Sequence, residues 1–311
     1  MRNSWQKLRS DLERATAQRA MAGTPGRTTQ RRIAQGIGWT VSDVVCTCAR
    51  EDHPFEERHK GFAIVLITAG SFQYKASLKR SMNRELMTPG SFMLGNPGQC
   101  YECGHEHGAG DRCLSFWYAP DYFEQLAAGA GARGGRLEFP VLRLPPLREL
   151  SPLVARACAG LALQDLVQSE MDSRWEELSL QLAAQMLRLV SANSFSPAHN
   201  APPSAEARVT RAARLIERQP DAELNLSSLA QESGLSPYHF LRIFEQLTGV
   251  TPHQYVLRAR LRQAAVRLAT ERGKILDIVF DCGFGDVSNF NRAFRTEFGV
   301  NPARFRGSAL I

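Results

Sequence analysis

The sequence predicts an α+β multidomain chain: an N-terminal β-barrel, a following pair of helices, and a C-terminal all-α domain with two helix-turn-helix units. Three observations lead to this prediction. Short apolar runs separated by Gly and Pro turns occupy residues 37–145, a pattern typical of small β-sandwiches and barrels. Apolar residues at helical spacing follow in 146–192, and one helical pattern occurs twice within 208–306. A length of 311 residues also fits two domains.

Six strands are predicted in the N-terminal region from their apolar and β-branched residues. They cover residues 41–48, 62–67, 71–78, 92–94, 100–107 and 113–118. Turn sequences such as Pro89-Gly90 and Gly108-Ala109-Gly110 separate them. Residues 1–36 are basic and polar, and we interpret them as a partly helical or disordered tail without an assigned function.

Three helices are predicted after the strands, over residues 121–128, 152–168 and 173–192. The last of them has an apolar stripe at helical spacing, formed by Leu178, Leu182, Met186 and Leu189. The stripe is interpreted either as a homodimer interface within the helical pair, residues 146–192, or as a face that packs onto the chain's own barrel. Residues 193–207, rich in Pro, Ser and Asn, are predicted to be a linker.

The C-terminal region contains the same helix-turn-helix pattern twice. A turn glycine recurs after 49 residues, at Gly234 and Gly283, and the positions that follow recur after 50. Those positions are Phe240 and Phe290, Arg242 and Arg292, Phe244 and Phe294, Gly249 and Gly299, and Pro252 and Pro302. One extra residue in the second turn explains the difference, because a turn accepts an insertion more easily than a packed helix. A long helix over residues 252–270 is expected to join the units.

Each unit has residues that suit their places in the motif. Gly234 lies where the turn needs a positive φ, Ser236 is expected to cap the second helix, and Pro237 suits that helix's first position. Phe240 and Phe244 recur at helical spacing and are expected to face inward. The outward faces are predicted to contact a partner molecule. They comprise Pro237, Tyr238, His239 and Arg242 in the first unit, and Asp286, Ser288, Asn289 and Arg292 in the second.

Residues 208–306 resemble the DNA-binding domain of the AraC/XylS family of bacterial transcription regulators over its full length. Besides the repeat, the resemblance is carried by Arg260, Leu261, Ala264, Leu268, Ile275, Asp277, Ile278, Phe284 and the Phe305-Arg306 ending. Val279 departs from the pattern, because the family usually has a small Ala there, and its methyl groups are expected to separate the two helices of the second unit slightly. The resemblance implies a transcription regulator that binds double-stranded DNA as a homodimer, with RNA polymerase as a further partner.

The N-terminal region is similar to the cupin effector domains that accompany such regulators. The segment from Thr88 through Gly98 resembles the cupin turn and strand, and His59 with residues 61–67 resembles the first cupin motif. Cys100 stands where many relatives have a His. The resemblance implies a cupin-like sensor domain over residues 37–145 that responds to a small-molecule effector, whose identity the sequence leaves open, as it does activation or repression.

The charge distribution agrees with a polyanionic partner at the C-terminal domain. Residues 207–311 contain fifteen Lys/Arg and ten acids, and residues 1–36 contain eight and two, whereas residues 37–206 contain fifteen and nineteen. Arg242 and Arg292 are expected to read bases or phosphates, because Arg forms bidentate contacts with guanine.

Five of the seven cysteines lie in the predicted barrel: Cys46, Cys48, Cys100, Cys103 and Cys113. In an extended strand over residues 100–107, alternation places Cys103, His105 and His107 on one face, and Cys113 follows a Gly-rich turn. Sulfur and imidazole ligands suit Zn²⁺ or another thiophilic metal. We therefore predict a metal ion at Cys103, His105, His107 and Cys113, with a redox-active thiol pair and simple packing as the alternatives.

An enzyme is the alternative function class: a metal- or thiol-dependent cupin enzyme, or a DNA-repair thiol acceptor with the same DNA-binding domain. A catalytic cupin usually has several His and a carboxylate, whereas only His59, His105 and His107 are available here. The cysteine pattern does not match the repair proteins either, so we expect no enzyme activity. No apolar run approaches the roughly twenty residues of a bilayer span, and residues 1–32 lack a signal-peptide core. We therefore expect a cytoplasmic chain without membrane contact.

Overall fold

The computed structural model describes residues 4–54, 56–78, 81–130, 137–163, 169–192 and 201–309. Helix α1 (Ser4–Ala22) precedes all the strands. The strands are β1 (Thr28–Gly36), β2 (Trp39–Cys46), β3 (Glu56–Arg58), β4 (Phe62–Gly70), β5 (Phe72–Leu78), β6 (Ser81–Met87), β7 (Phe92–Gly95), β8 (Cys100–Gly104), β9 (Asp111–Tyr118) and β10 (Arg143–Leu144). Within these described ranges, none of the helices combines the length and the apolar character needed to span a bilayer.

The strands form two antiparallel sheets. Six strands pair in the order β1-β2-β9-β4-β7-β10, and four in the order β3-β8-β5-β6. Strand β4 is apolar along almost its whole length because both of its faces are buried. Val65 and Ile67 pack with Phe72 and Tyr74 of the smaller sheet, whereas Ile64 packs toward the helices behind the larger sheet.

The sheet begins earlier than the sequence predicted, so the boundary at residue 37 was wrong. Strand β1 pairs with β2 from Thr28↔Cys46 to Gly36↔Trp39. Its residues are mostly exposed and polar, which explains why no apolar alternation identified it. Helix α1, placed in the predicted tail, also packs against the body of the protein and buries Leu12. Strands β3 and β6 were missed because they are largely polar, and the buried β10 was missed because it has only two residues.

Three helices lie behind the larger sheet: α2 (Pro120–Gly129), α3 (Ser151–Leu163) and α4 (Ser169–Ala192), with a 3₁₀ turn at Arg148–Leu150. The stripe on α4 is buried within the chain, at 8% exposure or less for Leu178, Leu182, Met186 and Leu189. These side chains belong to the same core as Ile64 and Phe116 of the larger sheet. The stripe therefore packs onto its own barrel, and its assignment to a dimer interface was wrong.

The C-terminal region is helical: α5 (Pro203–Arg218), α6 (Leu226–Glu232), α7 (Pro237–Thr248), α8 (Pro252–Thr270), α9 (Ile275–Asp281), α10 (Val287–Phe298) and α11 (Pro302–Ala309). Helix α8 has the bounds predicted for the joining helix. Residues 193–200 of the predicted linker lie outside the described residues, and 203–207 already belong to α5, so the helical region begins before residue 208. Val279 of α9 is fully buried in a core that it shares with residues of α8 and α10.

Candidate functional site

Helices α7 and α10 are the second helices of the two units, and side chains fix where each begins. Ser236 Oγ accepts a hydrogen bond from the backbone N–H of His239 at 3.4 Å, as its predicted capping role requires. In the second unit the Asp286 carboxylate accepts from the N–H groups of Ser288 and Asn289, at 3.0 and 2.8 Å. Both helices have 12 residues and end at a glycine with positive φ, so the two helices have the same length.

The inner faces of α7 and α10 repeat the same aromatic packing. The ring centroids of Phe240 and Phe244 lie 5.4 Å apart, and those of Phe290 and Phe294 also lie 5.4 Å apart. All four rings are fully buried. Because each helix is anchored by one apolar stripe, its polar face is held outward in a fixed orientation.

The structure places all eight predicted contact residues on exposed surface. They are Pro237, Tyr238, His239, Arg242, Asp286, Ser288, Asn289 and Arg292. Tyr238 is 77% exposed, which is unusual for a large aromatic side chain on a folded helix. The Arg292 guanidinium donates to Asn289 Oδ1 at 3.2 Å, so the two side chains are held side by side on α10. Each helix therefore presents a polar surface with one Arg at the corresponding position.

Arg295 lies on α10, three residues after Arg292, but matching the two units of the repeat did not identify it as a contact residue. It is exposed, and both side chains line an open groove with Asn291 and Asn301. The first unit has Glu245 at the position that corresponds to Arg295, so the repeat itself hides this residue. Helical spacing from Arg292 is the signal that identifies it.

The sheets enclose a cavity of about 590 Å³. Its wall includes His59, Tyr101, four cysteines and the charged residues Glu57, Arg58 and Lys60. His59 Nε2 lies 2.9 Å from the Tyr74 hydroxyl, and its ring stacks on Tyr101 with centroids 4.1 Å apart. Burial lowers the pKa of His59 to about 4, so the imidazole is neutral at physiological pH.

Three residues of the cavity wall bring potential metal ligands together: Cys46, His105 and Asp111. Their ligand atoms all lie within 4.8 Å of one another, and all three residues are buried. His105 Nε2 lies 2.7 Å from Asp111 Oδ1. Burial alone lowers the pKa of His105, but the hydrogen bonds to Asp111 and Cys46 outweigh it and raise the pKa to about 9.

This group differs from the predicted set of Cys103, His105, His107 and Cys113, so that prediction was wrong in part. Strand β8 ends at Gly104, and His107 lies in the following turn rather than on the strand face shared by Cys103. Cys103 and Cys113 do line the cavity. Sequence reasoning missed Cys46 and Asp111 as partners of His105, because only the antiparallel pairing of β2 and β9 places these two residues opposite each other.

The cysteines of the cavity do not have the character of reactive nucleophiles. Burial raises the pKa of Cys46, and it raises the pKa of Cys103 and Cys113 further. The Cys113 thiol donates to Asp111 Oδ2 at 3.0 Å. A nucleophilic cysteine needs a lowered pKa, so these raised pKa values argue against thiol catalysis.

Polar contacts join the barrel and the helical region. The half-buried Arg214 of α5 donates to the carbonyl oxygens of Ala109 and Gly110 at 3.0 and 3.1 Å, and to Ser71 Oγ at 2.8 Å. Arg143 of β10 donates to the Thr248 carbonyl at the end of α7, at 2.9 Å. The loop that leads into Asp111 is therefore held directly by the helical region.

Comparison with known proteins places the similarity in the helical region. A family model described as "Helix-turn-helix domain" matches residues 229–308. The probable transcriptional regulator LumQ of Photobacterium leiognathi is 38% identical over 92 residues, which is 29% of this chain and 37% of that protein. The regulatory protein SoxS of Salmonella typhimurium is 36% identical over 91 residues, 29% of this chain and 85% of SoxS. The HTH-type transcriptional regulator ArgR of Pseudomonas aeruginosa is 30% identical over 155 residues, 48% of this chain and 47% of ArgR.

Two solved structures illustrate the structural matches. The DNA-binding domain of AdpA, in complex with a target DNA, is 25% identical with a TM-score of 0.32 and covers 32% of this chain and 91% of its own. A variant of apo ToxT from Vibrio cholerae is 13% identical with a TM-score of 0.35 and covers 88% and 98%. Of the three relatives matched by sequence, this chain covers less than half of LumQ and of ArgR but most of SoxS.

Proposed function

Because the chain belongs to the AraC/XylS family of DNA-binding transcription regulators, we propose that α7 and α10 enter successive major-groove segments on one face of the duplex. Such segments are about one turn, ~34 Å, apart. The observation that carries the proposal is the repeated exposed face, with Arg242 and Arg292 at matching positions. Helix α8, a single helix of 19 residues, joins the two units.

The roles of the exposed residues follow from their chemistry. Arg242 and Arg292 read guanine or grip phosphate, because the guanidinium forms bidentate contacts. Tyr238, His239, Ser288 and Asn289 add specificity, and Pro237 shapes the start of α7. Asp286 has a different role, since its carboxylate is occupied by two backbone N–H groups and would repel phosphate. We assign Asp286 to positioning α10.

The test is base readout by Arg292 in the full chain. A preferred site is selected from random duplexes, and Arg292→Ala is compared with wild type on that site and on random DNA. A loss of about 1–3 kcal/mol on the site and much less on random DNA supports base contact. Arg188→Ala is the matched control, because it removes the same charge from an exposed position on α4. Equal loss on both DNAs means that Arg292 contacts only phosphate, and no loss removes it from the interface.

We further propose that the regulator responds to an effector in the barrel cavity and is not an enzyme. The cavity of about 590 Å³ is large enough for a small molecule, and Asp111 on its wall directly follows the loop that Arg214 holds. The raised pKa values of its thiols argue against a thiol-acceptor reaction. A homodimer and contact with RNA polymerase stay predictions from the family, and the stripe on α4 cannot supply the dimer interface.

A further inference from the structure

The cavity contains a compact donor group that DNA recognition does not use. Cys46 ends β2, Asp111 begins β9, and the register Cys46↔Asp111 places them opposite each other. His105 follows β8 and reaches Asp111 across the loop. Three different donors, sulfur, imidazole nitrogen and carboxylate oxygen, therefore meet within 4.8 Å, one from the end of β2 and two from the ends of the loop between β8 and β9.

We propose that Cys46, His105 and Asp111 bind one divalent thiophilic cation of the Zn²⁺ class, and that its binding changes DNA affinity. The regulatory half of this proposal rests on the proposed function, whereas the binding half does not. Zn²⁺ accepts Cys, His and Asp ligands at about 2.0–2.3 Å. Donor atoms already within 4.8 Å of one another need only small side-chain shifts to reach one ion.

The charges of the group suit a dication in a buried place. When the ion binds, the thiol proton of Cys46 and the imidazolium proton of His105 leave to solvent. The resulting Cys46 thiolate and the Asp111 carboxylate carry two negative charges and the neutral His105 adds none, so a bound Zn²⁺ leaves the site neutral overall. Arg112 is turned away, since its guanidinium donates to both carboxylate oxygens of Asp43 at 2.9 and 2.8 Å. The Asp43 carboxylate therefore balances the positive charge of Arg112, which reduces the repulsion between Arg112 and a cation bound at the donor group.

The group also has space for a fourth ligand. It lines the cavity rather than the solid core, and Cys113 Sγ lies 3.0 Å from Asp111 Oδ2. Three protein ligands with an open position on a cavity are the arrangement of an accessible zinc site rather than a closed structural one. The fourth position can be taken by water, by Cys113, or by a molecule that occupies the cavity.

The same loop connects the cation site with the helical region. Residues 105–111 carry two of the three ligands, and the Ala109 and Gly110 carbonyl oxygens accept from Arg214 of α5. A Cβ on Gly108 would lie 2.4 Å from the Arg214 guanidinium carbon, so the loop and α5 are in close contact. A shift of His105 and Asp111 toward a cation therefore moves the carbonyl groups that hold α5.

Cation binding is tested on the full chain, loaded with Zn²⁺ or Co²⁺ and freed of excess metal. We expect one ion per chain in wild type and at least tenfold weaker binding in Cys46→Ser, His105→Gln and Asp111→Asn, because even outer-shell changes cost about 10–100-fold. Cys100→Ser is the matched control, since Cys100 is in the barrel but not on the cavity wall. The Co²⁺ form should show a thiolate charge-transfer band that is weaker in Cys46→Ser than in wild type. Circular dichroism of each variant establishes that it is folded.

Two results overturn the site: wild-type chain that retains no cation, or folded ligand variants that retain it as well as Cys100→Ser does. The regulatory half is tested by DNA affinity with and without Zn²⁺. We expect a change of about fivefold or more in wild type, the usual lower range of allosteric coupling, and none in Arg214→Met that still binds the ion. Equal DNA affinity in both states of wild type overturns the coupling. Absence of site-specific DNA binding in either state overturns the proposed function and the coupling together, while the cation measurement stands by itself.

Discussion

The start of α10 offers a sharp test of how the second unit is held. The Asp286 carboxylate accepts two backbone hydrogen bonds at 3.0 and 2.8 Å, whereas Ser236 in the first unit accepts one at 3.4 Å. Replacing an N-cap residue by Ala costs about 0.5–2 kcal/mol. Two short bonds to a carboxylate place Asp286→Ala at about 1–2 kcal/mol, and one long bond to a hydroxyl places Ser236→Ala at about 0.5–1 kcal/mol.

Hydrogen exchange on the full chain measures this difference at the bonded amides. In Asp286→Ala the N–H groups of Ser288 and Asn289 should exchange roughly 5–30-fold faster, the factor that corresponds to about 1–2 kcal/mol. Asp286→Ser, which keeps an N-cap acceptor, should restore most of the protection and leave the preferred DNA sequence unchanged. Glu245→Ala controls for loss of an exposed negative charge. The reasoning fails if Asp286→Ser changes the preferred base while the amides stay protected, because Asp286 would then read DNA.

Three further predictions concern the barrel. The folded-state pKa of His59 is about 4 against an ordinary 6.5, so the unfolded chain takes up the proton first. The free energy of unfolding should therefore fall by roughly 3 kcal/mol from pH 6.5 to below 4, and urea titrations should show a shallower fall in His59→Gln. Gly108→Val should displace Arg214 and lower the melting temperature, whereas Gly104→Ala should not, because a Cβ at Gly104 meets no atom within 4 Å. An equal effect of both would contradict the close contact. Leu182→Ala should cost about 2–5 kcal/mol without changing the sedimenting species, because Leu182 is 2% exposed in the chain's own core. If Leu182→Ala instead converted a sedimenting dimer to a monomer, the stripe would be part of a dimer interface.

The two helix-turn-helix units could be predicted from the sequence because their signals are local. The positive φ of Gly234 and Gly283, the Ser236 cap and the bounds of α8 were all readable from residues a few positions apart. Turns, caps and helical spacing depend on neighbours along the chain, so one sequence determines them. The exposed faces of α7 and α10 followed from the same periodicity, and the repeat made the functional prediction specific.

The arrangement of the barrel depends on contacts between residues that are far apart in the sequence. Strand β1 is polar and is identified only by its pairing with β2. The stripe on α4 fitted two partners until the structure showed that it packs on the larger sheet. The cation group depends on register, since Cys46 and Asp111 are 65 positions apart in the sequence and meet only through the pairing of β2 and β9. His107 was misplaced because β8 ends at Gly104, before the alternation could continue. The sequence alone determined helices α7 and α10 and their exposed faces, whereas only the tertiary structure decided which side chains share the cavity, because sheet pairing joins residues that no local pattern relates.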